Sequence, residues 1–332
     1  MKSTPILTLI IALAVLGMSG CTGGGRLSEA GERNSRVEFE RADGDDTGVQ
    51  LRAAERGESK KVSIEGETIL DLNGVTISEA QVEIIRDGFL QLSDVYVSPS
   101  GLIYAVDAMR HYLYRLDPVT GVIDSIGGRG QGETQFWGPV SVHATNDLKI
   151  FVQDAGNGRV QMFDRRFQFL GSLAMEGGSV MVSDSPAVGL VVNRAGGVVF
   201  WDEGESRVVG STASYTIDNT FKPNLTQIQI PPTKLRESPD GFVLVGADRI
   251  NIHRFSENGR YLGFLSGFGQ ILDVSVTENE WVILTSEYII STSSTGQIIQ
   301  VTRHTIENPN TINHDKSGLI VSTATKLIRV VI

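Results

Sequence analysis

Residues Val152–Asp164 read VQDAGNGRVQMFD. An alternating apolar run ends in Asp154, a small polar turn follows at Asn157-Gly158, and a second alternating run leaves it. Asn-Gly between two such runs is a strong hairpin signal. Upstream, Tyr104–Asp117 reads YAVDAMRHYLYRLD, with Asp107 in the place of Asp154 and Asp117 in the place of Asp164, both 47 residues away. One chain repeats a phrase at a fixed interval when its building unit repeats.

Working outward, each unit can be anchored on the first turn after an apolar strand. The anchors are SPSG ending at Gly101, ATND at Asp147, NRAG at Gly196, SPDG at Gly241, TENE at Glu280 and DKSG at Gly318. They are spaced 46, 49, 45, 39 and 38 residues apart. After each comes a β-rich run, such as LIYAVD or GVVFWD, then a further turn and strand. No segment keeps a helical period. Several strands per period of this length describe a β-propeller blade, a small sheet that buries its faces only by stacking on neighbours around a ring. The fold class is therefore all-β, a six-bladed β-propeller. The last unit ends at Ile332 one strand short, so a strand within Val62–Ile85 is expected to pair with Leu327–Ile332 and remove an exposed edge.

Asp107, Asp154, Asp202 and Asp248 stand where a strand enters a tight turn, and accepting turn amides is the common role of Asp there. Trp137, Trp201 and Trp281 are expected between blades. His111, His253 and His304 fall on outer strands or turns and are expected to face solvent.

The second unit, Ile126–Leu173, resembles the NHL repeat. It has a glycine-rich entry (Gly128, Gly130, Gly132), then Phe136 and Gly138-Pro139, the aspartate Asp154, the turn Asn157-Gly158-Arg159, and the closing Phe163-Asp164. The first unit matches less completely, and the other four match by spacing alone. The resemblance covers residues 62–332 as a fold and about 80 residues as a motif. It points to exported six-bladed propellers of bacteria.

The N-terminus supplies an address. Lys2 precedes a mostly apolar run from Ile6 to Gly17, too short to cross a bilayer comfortably. Met18-Ser19-Gly20-Cys21 resembles the lipobox of bacterial lipoproteins, which implies cleavage before Cys21 and acylation of its thiol. Cys21 is the one cysteine of the chain. The plainer alternative is an ordinary export signal. The expected organisation is residues 1–20 signal peptide, 21–61 disordered tether and 62–332 propeller. A flexible chain of that length reaches ~35 Å. Within it RVEFE, Arg36–Glu40, has strand alternation. Thr22, where Asp would favour inner-membrane retention, points to the outer membrane or periplasm. The expected partners are the lipid bilayer, through acylated Cys21, and a protein, peptide or glycan on one propeller face. A net charge of -10 argues against nucleic acid.

No nucleophile elbow, P-loop, zinc-protease helix or dinucleotide fingerprint is present. GRGQG, Gly128–Gly132, joins two units and does not open a helix. Four residues before the anchor ends stand His143, Glu237 and His314, and seven before stand Asp94 and Asp273. His143, Glu237 and His314 are the candidate channel-lining residues. Some propellers of similar look are metal-dependent lyases or lactonases, and a His/carboxylate set would suit a transition metal. Here the set is thin, and polar side chains are ordinary in a wet channel. The reading is thus an envelope-anchored binding module with no catalytic residue and no cofactor assigned. The alternative is a metal-assisted lyase or lactone hydrolase.

Overall fold

A computed structural model describes residues 37–41, 49–53, 61–64, 68–71, 77–145, 147–175, 189–316 and 318–332, with side chains from residue 77 onward. Cys21 and the segment read as a signal peptide lie outside the described residues. The runs of β-branched and aromatic residues form antiparallel sheets that follow one another along the chain. Blade 1 is Leu92–Val97, Ile103–Asp107, Tyr112–Leu116 and Ile123–Gly127. Blade 2 is Pro139–Thr145, Lys149–Asp154, Arg159–Asp164 and Phe169–Ala174. Blade 4 is Lys234–Ser238, Gly241–Val245, Ile252–Ser256 and Tyr261–Leu265. Blade 5 is Asp273–Val276, Trp281–Leu284, Tyr288–Thr292 and Ile298–Arg303. The first strand of each blade is innermost, and these strands neighbour one another in cyclic order, the sixth returning to the first. The fold is a six-bladed β-propeller.

Closure follows the expected route. Blade 6, Thr311–Asp315, Gly318–Ser322 and Lys326–Val331, takes its fourth strand from Gln81–Asp87. The register runs from Lys326 opposite Asp87 to Val331 opposite Gln81. The closing strand thus occupies the C-terminal end of the expected interval and extends two residues beyond it. Just before it, Ile77–Glu79 lies parallel to the outer strand of blade 5. Within the segment read as a tether, Val37–Arg41 pairs with Val49–Ala53, and Val49 meets Gly263 of blade 4.

Blade 3 departs from the rule. Its described strands are Leu190–Val192, Val198–Asp202 and Arg207–Gly210. Where a fourth strand would stand, the chain runs through Pro223, Pro231 and Pro232, which cannot donate to a ladder. Phe221 and Ile228 from this irregular segment are buried against Phe242 and Val208 instead, so apolar contact replaces the missing pairing.

The core is six separate clusters, one at each junction between blades. The period-two alternation of the strands accounts for this. Val198 and Phe200 face blade 2 with Phe151 and Met162, while Val199 and Trp201 face blade 4 with Leu235 and Phe242. Each large side chain fully buried in this way contributes ~1.5–3 kcal/mol. Around the ring, the cluster at the closure joins Ile320 and Leu327 of blade 6 to Phe89 and Leu92 at blade 1.

The repeated aspartates seal blades 1 and 2 to the loops that enter them. Asp154 accepts the backbone N–H of Trp137 at 2.7 Å, the Asn157 amide at 2.7 Å and Arg159 Nε at 3.0 Å. Asn157 and Arg159 then donate to the carbonyls of Gly130, Gln131, Gly132 and Gln135. The glycine-rich stretch is therefore held by its carbonyl oxygens, with Asp154 as the fixed point. Gly158 takes φ 61°, where a Cβ is disfavoured, to turn the chain between Asn157 and Arg159. Blade 1 repeats the device. Asp107 accepts Leu90 and Gln91 of the incoming loop and Met109 and Arg110 of its own turn. Asp202 and Asp248 cap their own turns at Gly204 and Ile250.

Candidate functional site

Innermost strands lie side by side around the axis and are joined by side chains. Asp94 of blade 1 accepts the Val142 N–H and the Ser141 hydroxyl of blade 2, at 3.2 and 2.6 Å. Asp273 of blade 5 accepts the Ile312 N–H of blade 6 at 3.0 Å. Asn310 and Asn313 of blade 6 donate to the carbonyls of Leu92 and Val95 in blade 1, each at 2.9 Å.

At the axis these two aspartates meet a basic partner from blade 4. Arg236 Nη2 lies 2.9 Å from Asp94 Oδ1, and its Nε lies 2.9 Å from Asp273 Oδ1. Burial works against the guanidinium charge, and Asp273 and Asp94 more than offset it, so the pKa stays above its ordinary value. Lys234, buried on the same strand, donates to Asn310 Oδ1 at 3.2 Å. Burial lowers its pKa, with Asp273 opposing. The heart of the ring is thus a charge-balanced lattice tying blades 1, 4, 5 and 6.

Beside this lattice a cavity of about 40 Å³ is lined by all six innermost strands, among them Tyr96, His143, Arg236, Glu237, Ser275 and Asn313. That is room for a few water molecules. Of the three residues picked out in the sequence, His143 and Glu237 converge here, with Nε2 2.9 Å from Oε2. The pair spans from blade 2 to blade 4 past the short inner strand of blade 3. Tyr96 covers the His143 ring with centroids 4.3 Å apart. Burial, then the charges of Glu237 and Asp147, raises the Tyr96 pKa and keeps the phenol protonated. Burial pushes the Glu237 carboxyl up, but the His143 hydrogen bond and charge, with Arg236 and Tyr96, leave it below the ordinary value. His314 stands apart, its Nδ1 2.8 Å from Ser275 Oγ and its Nε2 3.6 Å from Glu280 Oε2. Two of the three candidates therefore pair with each other, and His314 faces a different carboxylate, Glu280. Among the described residues, no group of three or more His, Cys, Asp or Glu is arranged to hold a metal ion.

Sequence reasoning missed Arg236 and Lys234, which carry no pattern of their own. Asp94 and Asp273, at equivalent positions in their units, were the available signal. Two expectations need correction. His253 and His304 are 3% and 5% exposed, not solvated, because each packs under its neighbours. His253 Nδ1 meets the Tyr261 hydroxyl at 3.2 Å, and His304 Nε2 meets the Thr285 carbonyl at 3.1 Å. Trp201 and Trp281 are buried between blades, but Trp137 is 37% exposed with Arg129 over its ring.

A second, larger cleft lies between blades 4 and 5. It has a volume of about 400 Å³ and is lined by Asp240, Arg254, Leu262, Phe264, Trp281 and Glu278, among others. Arg254 lies 5.5 Å from the centre of the Trp281 ring and donates to Asp240 at 2.8 Å.

With this geometry in place, the ring matches several solved propellers. A streptogramin B lyase structure aligns at 12% identity over 76% of this chain and 97% of its own, with a TM-score of 0.56. Virginiamycin B lyase from Staphylococcus aureus aligns at 11% identity over 76% of this chain and 99% of its own, TM-score 0.56. A protein of unknown function from Bacteroides thetaiotaomicron aligns at 10% identity over 86% and 88%, TM-score 0.58. At such identity the likeness is one of fold. No family model and no curated protein matches the chain.

Proposed function

We propose that the protein is an NHL-like propeller that works as a binding module of the bacterial cell envelope, anchored through acylated Cys21. It takes a protein, peptide or glycan ligand in the cleft between blades 4 and 5. The observation that carries this reading is the contrast in room. The axial cavity is about 40 Å³, whereas the interblade cleft is about 400 Å³, within the range of ordinary ligand sites. The cleft combines apolar surface from Leu262 and Phe264 with charge from Arg254, Asp240 and Glu278. Hydrogen bonds at the blade entries and an ion lattice at the axis support a rigid frame, so binding there loses little freedom.

The test is a photo-crosslinking residue placed at Ser294 in the full chain in cells. An adduct lost on Arg254→Glu, with melting unchanged, is the expected result. Absence of any adduct, or an adduct indifferent to Arg254, overturns the cleft assignment. Cys21→Ser is expected to move the protein from the membrane to the soluble fraction. Unchanged membrane retention would overturn the anchor.

The alternative, a metal-assisted lyase or lactone hydrolase, has the lyase-like fold in its favour. The pairing of His143 with Glu237 and of His314 with Ser275 and Glu280 weighs against a shared ligand set. Stoichiometric metal in protein from untreated cells, lost together with activity on Glu237→Ala, would restore it.

A further inference from the structure

Ser275 lines the axial cavity, and its surroundings differ from those of a simple strand cross-link. Its Oγ accepts the backbone N–H of His314 at 3.1 Å and stands 2.8 Å from Nδ1 of the same residue. A hydroxyl has one proton. The oxygen accepts that backbone N–H, and its own proton is free to be donated to Nδ1 when the ring carries its proton on the other nitrogen. The imidazole is then the tautomer protonated on Nε2, and that nitrogen faces Glu280 Oε2 at 3.6 Å. A hydroxyl on one ring nitrogen and a carboxylate opposite the other is the geometry of an activated nucleophile with its base and orienting acid. The His–carboxylate distance is long for a hydrogen bond, as such contacts often are without substrate. Burial lowers the His314 pKa, with Glu280 opposing, so the ring is a neutral base at pH 7.

We propose that Ser275, His314 and Glu280 form a hydrolytic relay at the channel axis that cleaves short-chain acyl esters. The cavity sets the acyl size. It is narrow and also lined by Val142, Val191, Val274 and Val276, an apolar surround suited to a short acyl chain. In the first step the Ser275 oxygen bonds to the ester carbonyl carbon, the hydroxyl proton passes to His314 Nδ1, and the carbonyl electron pair moves to oxygen. Collapse breaks the bond to the alcohol oxygen, which leaves with the proton from Nδ1. Water then adds to the acyl-serine, its proton passing to Nδ1 and on to Ser275 as the carboxylic acid departs. Glu280 faces the imidazolium in both halves. This inference is independent of the cleft and of the lipid anchor, and each can fail without the other.

The experiment uses the full chain in detergent. A fluorophosphonate probe, mapped by mass spectrometry, is expected to modify Ser275 in the wild-type protein. Hydrolysis of p-nitrophenyl acetate is expected at least tenfold above p-nitrophenyl octanoate, lost in Ser275→Ala. Glu280→Gln is expected to lower kcat with KM unchanged, and the rate to rise with pH through a midpoint below 6.5. Because labelling is read on the wild-type chain, a variant that fails to fold does not obscure the answer. Absence of the Ser275 adduct, absence of acetate turnover, or turnover that survives Ser275→Ala each overturns the relay.

Discussion

Arg236 of blade 4 reaches Asp94 of blade 1 on the far side of the ring, with Nη2 2.9 Å from Oδ1. In a ring of six these blades face each other, so one ion pair spans the channel. The same guanidinium binds Asp273 of blade 5, and the two aspartates hold the inner strands of blades 2 and 6. Five consecutive blades, 4, 5, 6, 1 and 2, are thus registered through one arginine.

Removing that arginine is expected to be severe. Arg236→Leu leaves two buried carboxylates without their cation, and breaking a buried pair in this way costs about 3–5 kcal/mol. Urea unfolding should show a large drop in midpoint with the slope retained. Adding Asp94→Asn and Asp273→Asn to that variant should recover part of the loss, and strict additivity of the three changes would contradict the lattice.

The His143–Glu237 pair makes stability depend on pH in a definite direction. Its folded carboxyl has a pKa below the ordinary glutamate value of 4.5. A depressed acid contributes stability that is present above its unfolded pKa and lost as pH falls through the folded one. Glu237→Gln should therefore be less stable than wild type at pH 7, and the difference should shrink as pH falls below 4.5 and through the lowered folded pKa. The Glu237 side chain is 50% exposed, so the effect at pH 7 is below about 1 kcal/mol. A difference that grows on acidification would contradict the pairing.

His253 acts in the same direction, over a higher pH window. Burial lowers its pKa from 6.5 to about 4 in the folded protein. The unfolded chain takes up a proton below pH 6.5 while the folded one resists, so stability falls as pH drops from 6.5 toward 4. The loss is on the order of 3 kcal/mol across that window. His253→Phe, which keeps the contacts with Tyr261 and Phe264, should flatten this limb in unfolding measurements at stepped pH. An unchanged limb would show that the side chain titrates normally.

The closing strand should shield the ring from edge-to-edge pairing with other chains. Deleting Gln81–Asp87 uncovers the outer edge of Lys326–Val331, and such an edge is a template for pairing with another chain. Size-exclusion chromatography is expected to show association, with a lower melting temperature. A monomeric deletion variant melting as wild type would mean that the closure contributes little.

The repeated turns were legible in the sequence because they are local. Asp107 and Asp154 accept amides from their own turns and from the loop just upstream, so a fixed phrase carries them. The closing strand was legible for a related reason, since the sixth unit shows three strands and the segment now seen to pair with it, Gln81–Asp87, has strand character of its own. Blade 3 was not, because its spacing matches the others while prolines and two buried side chains replace the last strand. Nor was the burial of His253 and His304, which depends on what the neighbouring strand lays over them.

The sequence by itself determined the unit, its count around the ring and the side of each strand that meets a neighbour, since period-two alternation and turn chemistry act over a few residues. Only the tertiary structure decided what meets at the axis. Arg236 and Asp94 are 142 residues apart, and Ser275 and His314 are 39 apart. Such pairs carry no shared motif. They become neighbours when closing the ring brings six inner strands together, and in that drier space a charge or a hydroxyl must find its partner across the channel.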